Sequence, residues 1–152
     1  MTIEERQKEA AKAHASGCNC AQSIAFALRD LVADKIDVDT LYRITEGFGL
    51  GMGGMEGTCG ALSGAVAVIG LANSGGSGGQ PTKASTYPLS RALLQKFAAQ
   101  NGSVRCKDLK GVETGHVLRS CPDCISDAVA MACEILHCGD TATAQKPLHT
   151  DK

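Results

Sequence analysis

A chain of 152 residues with 43% hydrophobic content can bury one core and is too short for two ordinary domains. Its 15 basic and 16 acidic residues nearly cancel, which leaves no electrostatic footprint for a nucleic-acid partner. With no Trp, two Tyr and three Phe, the core must be built from Ala, Leu, Val and Ile, which suit closely packed helices better than an aromatic-centred sandwich.

The opening MTIEERQKEAAKAH is charged and helix-prone, without the apolar run of a secretory signal. It predicts a polar-faced helix over residues 3–15. After Ser16-Gly17 a second helix is expected to begin near Cys18 to Cys20 and to run through AQSIAFALRDLVA, where Ile24, Leu28 and Leu31 mark an apolar face. Asp39-Thr40 can cap a third, LYRITEGF. The glycine-rich stretch GFGLGMGGMEG, residues 47–57, predicts a loop.

Thr58 is a suitable N-cap for the most apolar segment, CGALSGAVAVIGLA, expected at the centre of the fold. Its Gly60 and Gly64 would admit a neighbouring backbone, in the core or in a homodimer. The longest apolar stretch, residues 61–72, is broken by Ser63 and two glycines and falls short of the roughly 20 residues that cross a bilayer. A soluble, cytoplasmic protein with no membrane partner is expected.

NSGGSGGQP is expected as a surface loop, and YPLSRALLQKFAAQNG as a helix opened by Pro88 and stopped by Gly102. SVRCKDLKG predicts a connection of at most one helical turn. Cys121-Pro122 opens a last helix, DCISDAVAMACEIL, with Cys121 at the cap. No strand pattern and no long repeat is visible. The expectation is a single all-α domain over residues 1–138, of about five to six helices, followed by a flexible polar tail at 139–152.

Eight cysteines are the unusual total. In a reducing compartment they point to metal binding or redox chemistry rather than structural disulfides. Cys20, Cys59 and Cys121 fall where helices begin, and free N–H groups there stabilise thiolates. Cys133, in the middle of AVAMACEIL, is expected to be inert core. Gly49, Gly51 and Gly54 satisfy GxGxxG, but no strand precedes them and no acidic residue follows at the required distance, which argues against a nucleotide. A side-chain-free backbone passing close to a cysteine site is the better account, its N–H groups able to donate to sulfur.

Two other groupings compete. Cys121-Pro-Asp-Cys124 is a CxxC at a helix start, suited to metal-free thiol–disulfide exchange, although the βαβ context of that motif is missing. Cys18 and Cys20 with Cys121 and Cys124 would make a structural zinc site of uncommon spacing. Ile125 follows Cys124, which excludes a CxxCH haem attachment. His14, His116, His137 and His149 lack ligand spacing and are expected at the surface.

Four ordered segments carry a family resemblance: NCAQS (19–23), GGMEGTCGALSG (53–64), FAAQNGSVRCKDLKG (97–111) and CPDCISDAV (121–129). Together they resemble the C_GCAxxG_C_C family of redox-active proteins, over about residues 16–136. The resemblance places the family cysteines on Cys20, Cys59, Cys106 and Cys121, with Pro122 and Ile125 favouring Cys121 over Cys124. A similar domain occurs in split-Soret cytochromes c beside an iron–sulfur centre. The resemblance therefore implies an all-helical fold, a 2Fe–2S-type cluster on those four thiolates, and electron transfer or redox sensing with a redox partner protein. Zinc, or no metal at all, is the alternative. Cys18 and Cys124 are possible substitute ligands, and Cys138 is expected to be peripheral.

Overall fold

The computed structural model describes residues 1–138, so the tail expected at 139–152 lies outside the described residues. Among the described residues there are eight α-helices: α1 (Ile3–Ala15), α2 (Cys20–Ala27), α3 (Val38–Glu46), α4 (Gly49–Met52), α5 (Gly60–Asn73), α6 (Lys83–Asn101), α7 (Cys106–Lys110) and α8 (Cys121–Leu136). A 3-10 turn, Arg29–Val32, follows α2. The class is all-α, as composition and periodicity predict. The added elements are the short helix α7 and α4, a single turn inside the expected glycine loop whose Leu50 and Gly51 are left-handed.

Local chemistry fixes the ends. Thr2 and Glu5 close a capping box on α1, and Asn19 and Gln22 close another on α2. Asp37, two residues earlier than the expected cap, accepts the Thr40 N–H and starts α3 at Val38. Two helices depart from expectation: α2 ends at Ala27 rather than running on to Ala33, and α6 begins at Lys83 and carries Pro88 in its interior. Buried Asn73, at the end of α5, donates to Ser85 Oγ at 3.1 Å and Thr86 Oγ1 at 2.8 Å. These bonds anchor a first turn that lies ahead of the proline.

The centre is formed by α2, α5 and α8. Helix α1 covers α2 and α8, α3 lies on α2 and α5, and α6 on α5 and α8. Ile24, Leu28, Leu62, Ile69, Leu93 and Phe97 are fully buried between them. Each such side chain contributes about 1.5–3 kcal/mol. Helices α2 and α5 come closest where a side chain is missing: a β-carbon on Gly64 would stand 2.5 Å from the Ala21 carbonyl oxygen. No helix among the described residues is long and apolar enough to cross a membrane.

Candidate functional site

Four helix N-termini point their first residues into one region. Cys20, Cys106 and Cys121 are the first residues of α2, α7 and α8, and Cys59 is the N-cap of α5. Two of these positions differ from the sequence expectation by one residue. Ser120, not Cys121, caps α8, its side chain accepting from the Asp123 N–H. Thr58 does not cap α5, because it pairs with Arg105 in an antiparallel bridge, the only such pairing among the described residues.

That bridge holds two of the cysteines in register. The Cys59 N–H donates to the Val104 carbonyl at 2.7 Å, and the Cys106 N–H donates to the Gly57 carbonyl at 3.0 Å. The Lys107 N–H extends the pairing to the Met55 carbonyl at 2.9 Å. Outside it, Glu56 binds Arg105, and it accepts from Lys107 at 2.8 Å. Those two cations lower the Glu56 carboxyl to about 2.

The glycine loop fits around the sulfurs. A β-carbon on Gly60 would stand 2.3 Å from Cys20 Sγ, and one on Gly51 would stand 2.5 Å from Cys106 Cβ. Gly51 sits in a left-handed turn with φ 55°, flanked by Leu50 and Met52 at φ 55° and 64°. The backbone there reaches inward, so that the Leu50 N–H donates to the Cys20 sulfur alongside the Ala21 N–H. A strand-borne phosphate turn has no counterpart here.

The four thiols lie within electrostatic range of one another. Cys20 senses Cys59 and Cys121, and Cys106 senses Cys59, Cys121 and Cys20. Lys110 faces the same group: its ammonium is stabilised first by the charge of Cys121, which it also hydrogen-bonds, and then by Cys106 and Cys20. Among the described residues no three His, Cys, Asp or Glu side chains are arranged to hold a metal ion.

Their chemistry is not uniform. Cys59 is lowered to about 7, chiefly by a hydrogen bond from the Cys124 thiol, then by the Ala61 and Leu62 N–H groups and the Lys110 charge. Burial raises Cys106 to about 11, with the neighbouring thiols adding to the rise and Lys110 opposing it. Burial also raises Cys20. Cys124, buried beside Cys59, is raised because its proton is shared with that sulfur. The Arg119 carbonyl, 3.8 Å from Cys124 Sγ, offers the same proton a second acceptor.

Of the remaining cysteines, Cys18 is half-buried on the chain leaving α1, its N–H bonded to the Ala13 carbonyl. Cys133 is fully buried in α8, and Cys138 is half-buried just beyond that helix. His116 and His137 are exposed and His14 half-buried, while His149 lies outside the described residues. Lys110 is the site residue that the sequence reading missed. A signal was present: Lys110 follows Cys106 by four residues, the spacing that puts both on one helical face.

A family model described as "Putative redox-active protein (C_GCAxxG_C_C)" matches residues 18–135, most of the chain and all four helix-terminal cysteines. Comparison with curated proteins and with solved structures gave no match.

Proposed function

The chain belongs to the C_GCAxxG_C_C family, and from that premise we propose that it is a redox protein holding a 2Fe–2S-type cluster on Cys20, Cys59, Cys106 and Cys121. The observation that carries this reading is the meeting of four thiols from four helix N-termini around one cation, Lys110. The donor set suits the group, since four cysteine thiolates are the usual ligands of such clusters. A dinuclear cluster divides its ligands between two irons, so its four thiolates need not converge on one point. When bound, it would supply a one-electron couple.

The chain's own groups then have distinct tasks. The four cysteines bind as thiolates and release their protons on binding. The N–H groups of Ala21, Leu50, Ala61 and Leu62 donate to the sulfurs of Cys20 and Cys59 and stabilise negative charge there. Lys110 offsets part of the charge that four thiolates bring together. The exposed flank of the loop, with Leu50 and Met52, is the side on which a redox partner protein would approach. Electron transfer or redox sensing in a reducing cytoplasm follows from this reading, because free thiols persist there.

Anaerobic purification followed by iron and acid-labile sulfide analysis tests it. About two irons and two sulfides per chain, with visible absorption, are expected. A colourless, iron-free protein after anaerobic reconstitution overturns the assignment, and stoichiometric zinc replaces it with a structural site.

One observation favours a second reading, metal-free dithiol chemistry. The first partner of Cys124 is Cys59, from another helix, with its CxxC neighbour Cys121 acting only through charge. If the protein holds no metal, the pair to examine is therefore Cys59 with Cys124 rather than Cys121 with Cys124. Loss of reversible two-electron oxidation in Cys59→Ser but not in Cys121→Ser would identify it.

A further inference from the structure

We infer that Cys133 and Cys138 form a second redox site, a reversible disulfide at the C-terminal end of α8, independent of the four-cysteine site. Cys133 follows Cys121 by twelve positions on one helix, which separates the two regions by about 18 Å along its axis.

The backbone already joins the two residues. His137 ends α8 in the left-handed conformation, φ 54°, and turns the chain back on itself. The Cys138 N–H then bonds to the Cys133 carbonyl at 3.0 Å. Six-residue closure of this kind brings its end residues close together. The two thiols also act on each other, the Cys133 thiol lowering Cys138 and being raised in turn.

The surroundings divide the labour between the sulfurs. Cys133 is fully buried, whereas Cys138 is half-buried and reachable from solvent. Arg6 of α1 reaches beneath both, and it is itself buried. Its two terminal nitrogens are engaged: Nη1 donates to the Ala27 carbonyl and to Asp30, and Nη2 donates to Asp30. Its Nε has no partner among the described residues. A buried donor without an acceptor is costly, and a thiolate at Cys138 gives this guanidinium a counter-charge. Asp30, on the neighbouring 3-10 turn, opposes it and is itself neutralised by Arg6.

The oxidant is a low-molecular-weight disulfide. The Cys138 thiolate attacks one of its sulfurs, forming a mixed disulfide and expelling one thiolate, which takes up a proton. Cys133 then gives up its proton and attacks the Cys138 sulfur, expelling the second thiol. Two electrons leave the cysteine pair and reduce the small disulfide to two thiols. Because the closed loop is short, it contributes little chain entropy to the bond, so the disulfide is reversible rather than a permanent staple.

The test is to equilibrate the full chain with glutathione buffers from fully reduced to fully oxidised. It is then cleaved after Glu134, which separates the two cysteines, and linked peptides are identified by fragmentation. Expected are a Cys133–Cys138 crosslink that appears with oxidised glutathione and disappears with dithiothreitol, and the same crosslink in Cys59→Ser. In Cys133→Ser, glutathione should remain attached to Cys138. If Cys133 stays reduced in the wild-type chain under fully oxidised glutathione, or links instead to Cys121 or Cys124, the proposal is overturned. The wild-type result decides even where a variant folds poorly.

Discussion

Gly60 stands so close to Cys20 that a β-carbon there would lie 2.3 Å from the Cys20 sulfur. The contact joins the first residue of α5 to the first residue of α2, so the helix packing and the position of a site thiol are set by one missing side chain. Gly60→Ala must displace either the sulfur or the helix. It should cost about 1–3 kcal/mol, the usual range for overpacking, measurable by thermal or denaturant unfolding. On the proposed cluster, iron uptake in Gly60→Ala should fall together with stability. Wild-type stability in this variant would show that the two helices are not held as described.

Lys110 supplies the positive charge among the four thiols and lowers both Cys59 and Cys106. Replacing it by Met removes that charge while keeping the length of the stem. In the metal-free protein, alkylation of Cys59, followed by mass spectrometry across pH, should show its midpoint moving up from about 7. The first half-unit of pKa regained slows the reaction at pH 7 about twofold, approaching threefold per half-unit well below the midpoint. An unchanged midpoint would mean that the Cys124 hydrogen bond and the Ala61 and Leu62 N–H groups activate Cys59 without Lys110.

The sequence carried the helices whose ends have side-chain caps, and it was weakest where a tertiary contact decides. The Thr2–Glu5 box and the Ser120 cap are local pairs three residues apart, so α1 and α8 can be read from spacing. The start of α6 cannot, because its first turn is held by Asn73, ten residues before Lys83. Sequence spacing alone would put a helix start at Pro88. The helix-terminal settings of Cys20, Cys59 and Cys121 were legible to within a residue for the same reason that the caps were. The Cys59–Cys124 contact was not, since CxxC spacing invites pairing with Cys121 and only the packing of α5 on α8 turns Cys124 toward Cys59. The four-residue step from Cys106 to Lys110 was visible but had no helix to give it meaning until α7 was seen.

Arg6 is a charged side chain only 2% exposed, with bonds to the Ala27 carbonyl at 2.9 Å and to Asp30 at 2.6 and 2.9 Å. Lysine at this position cannot reproduce the two-pronged contact with Asp30 while also reaching Ala27. Because Asp30 is half-exposed, the loss in Arg6→Lys should be modest for a buried ion pair, about 1–3 kcal/mol. Chemical denaturation measures it. Asp30, held below its ordinary range by Arg6, contributes stability at neutral pH that is lost as pH falls through its folded pKa. The difference between wild type and Arg6→Lys should therefore shrink in acid.

The metal-free protein should also show a stability maximum in mild alkali. Cys59 is lowered from the ordinary thiol value to about 7, so the folded state binds fewer protons than the unfolded state between those values, and stability rises with pH there. Cys106, raised to about 11, acts in the opposite sense: above its unfolded value the folded state retains a proton that the unfolded state has lost, and stability falls. Burial of Cys20 adds to that fall. The shift at Cys59 corresponds to at most about 3 kcal/mol. Urea titrations from pH 6 to 10 should give a rise and then a decline, with Cys59→Ser flattening the rise. A profile with no rise in the wild type would show that the Cys59 thiolate is not stabilised by its helix terminus and Cys124.

Cys18 and Cys20 lie two positions apart, and the fold gives them different surroundings. Cys20 is the first residue of α2, its sulfur against Gly60 and accepting from the N–H groups of Ala21 and Leu50. Cys18 precedes the Asn19 cap, on chain tied back to α1 through Ala13. For Cys18 to replace Cys20 as a ligand, the Asn19–Gln22 capping box would have to open, and losing such a cap costs about 1 kcal/mol. On the proposed cluster, Cys18→Ser should therefore keep the full iron and sulfide content after anaerobic reconstitution, while Cys20→Ser should lose most of it. Equal retention in both variants would mean that either cysteine can serve, and equal loss would make Cys18 a ligand in its own right.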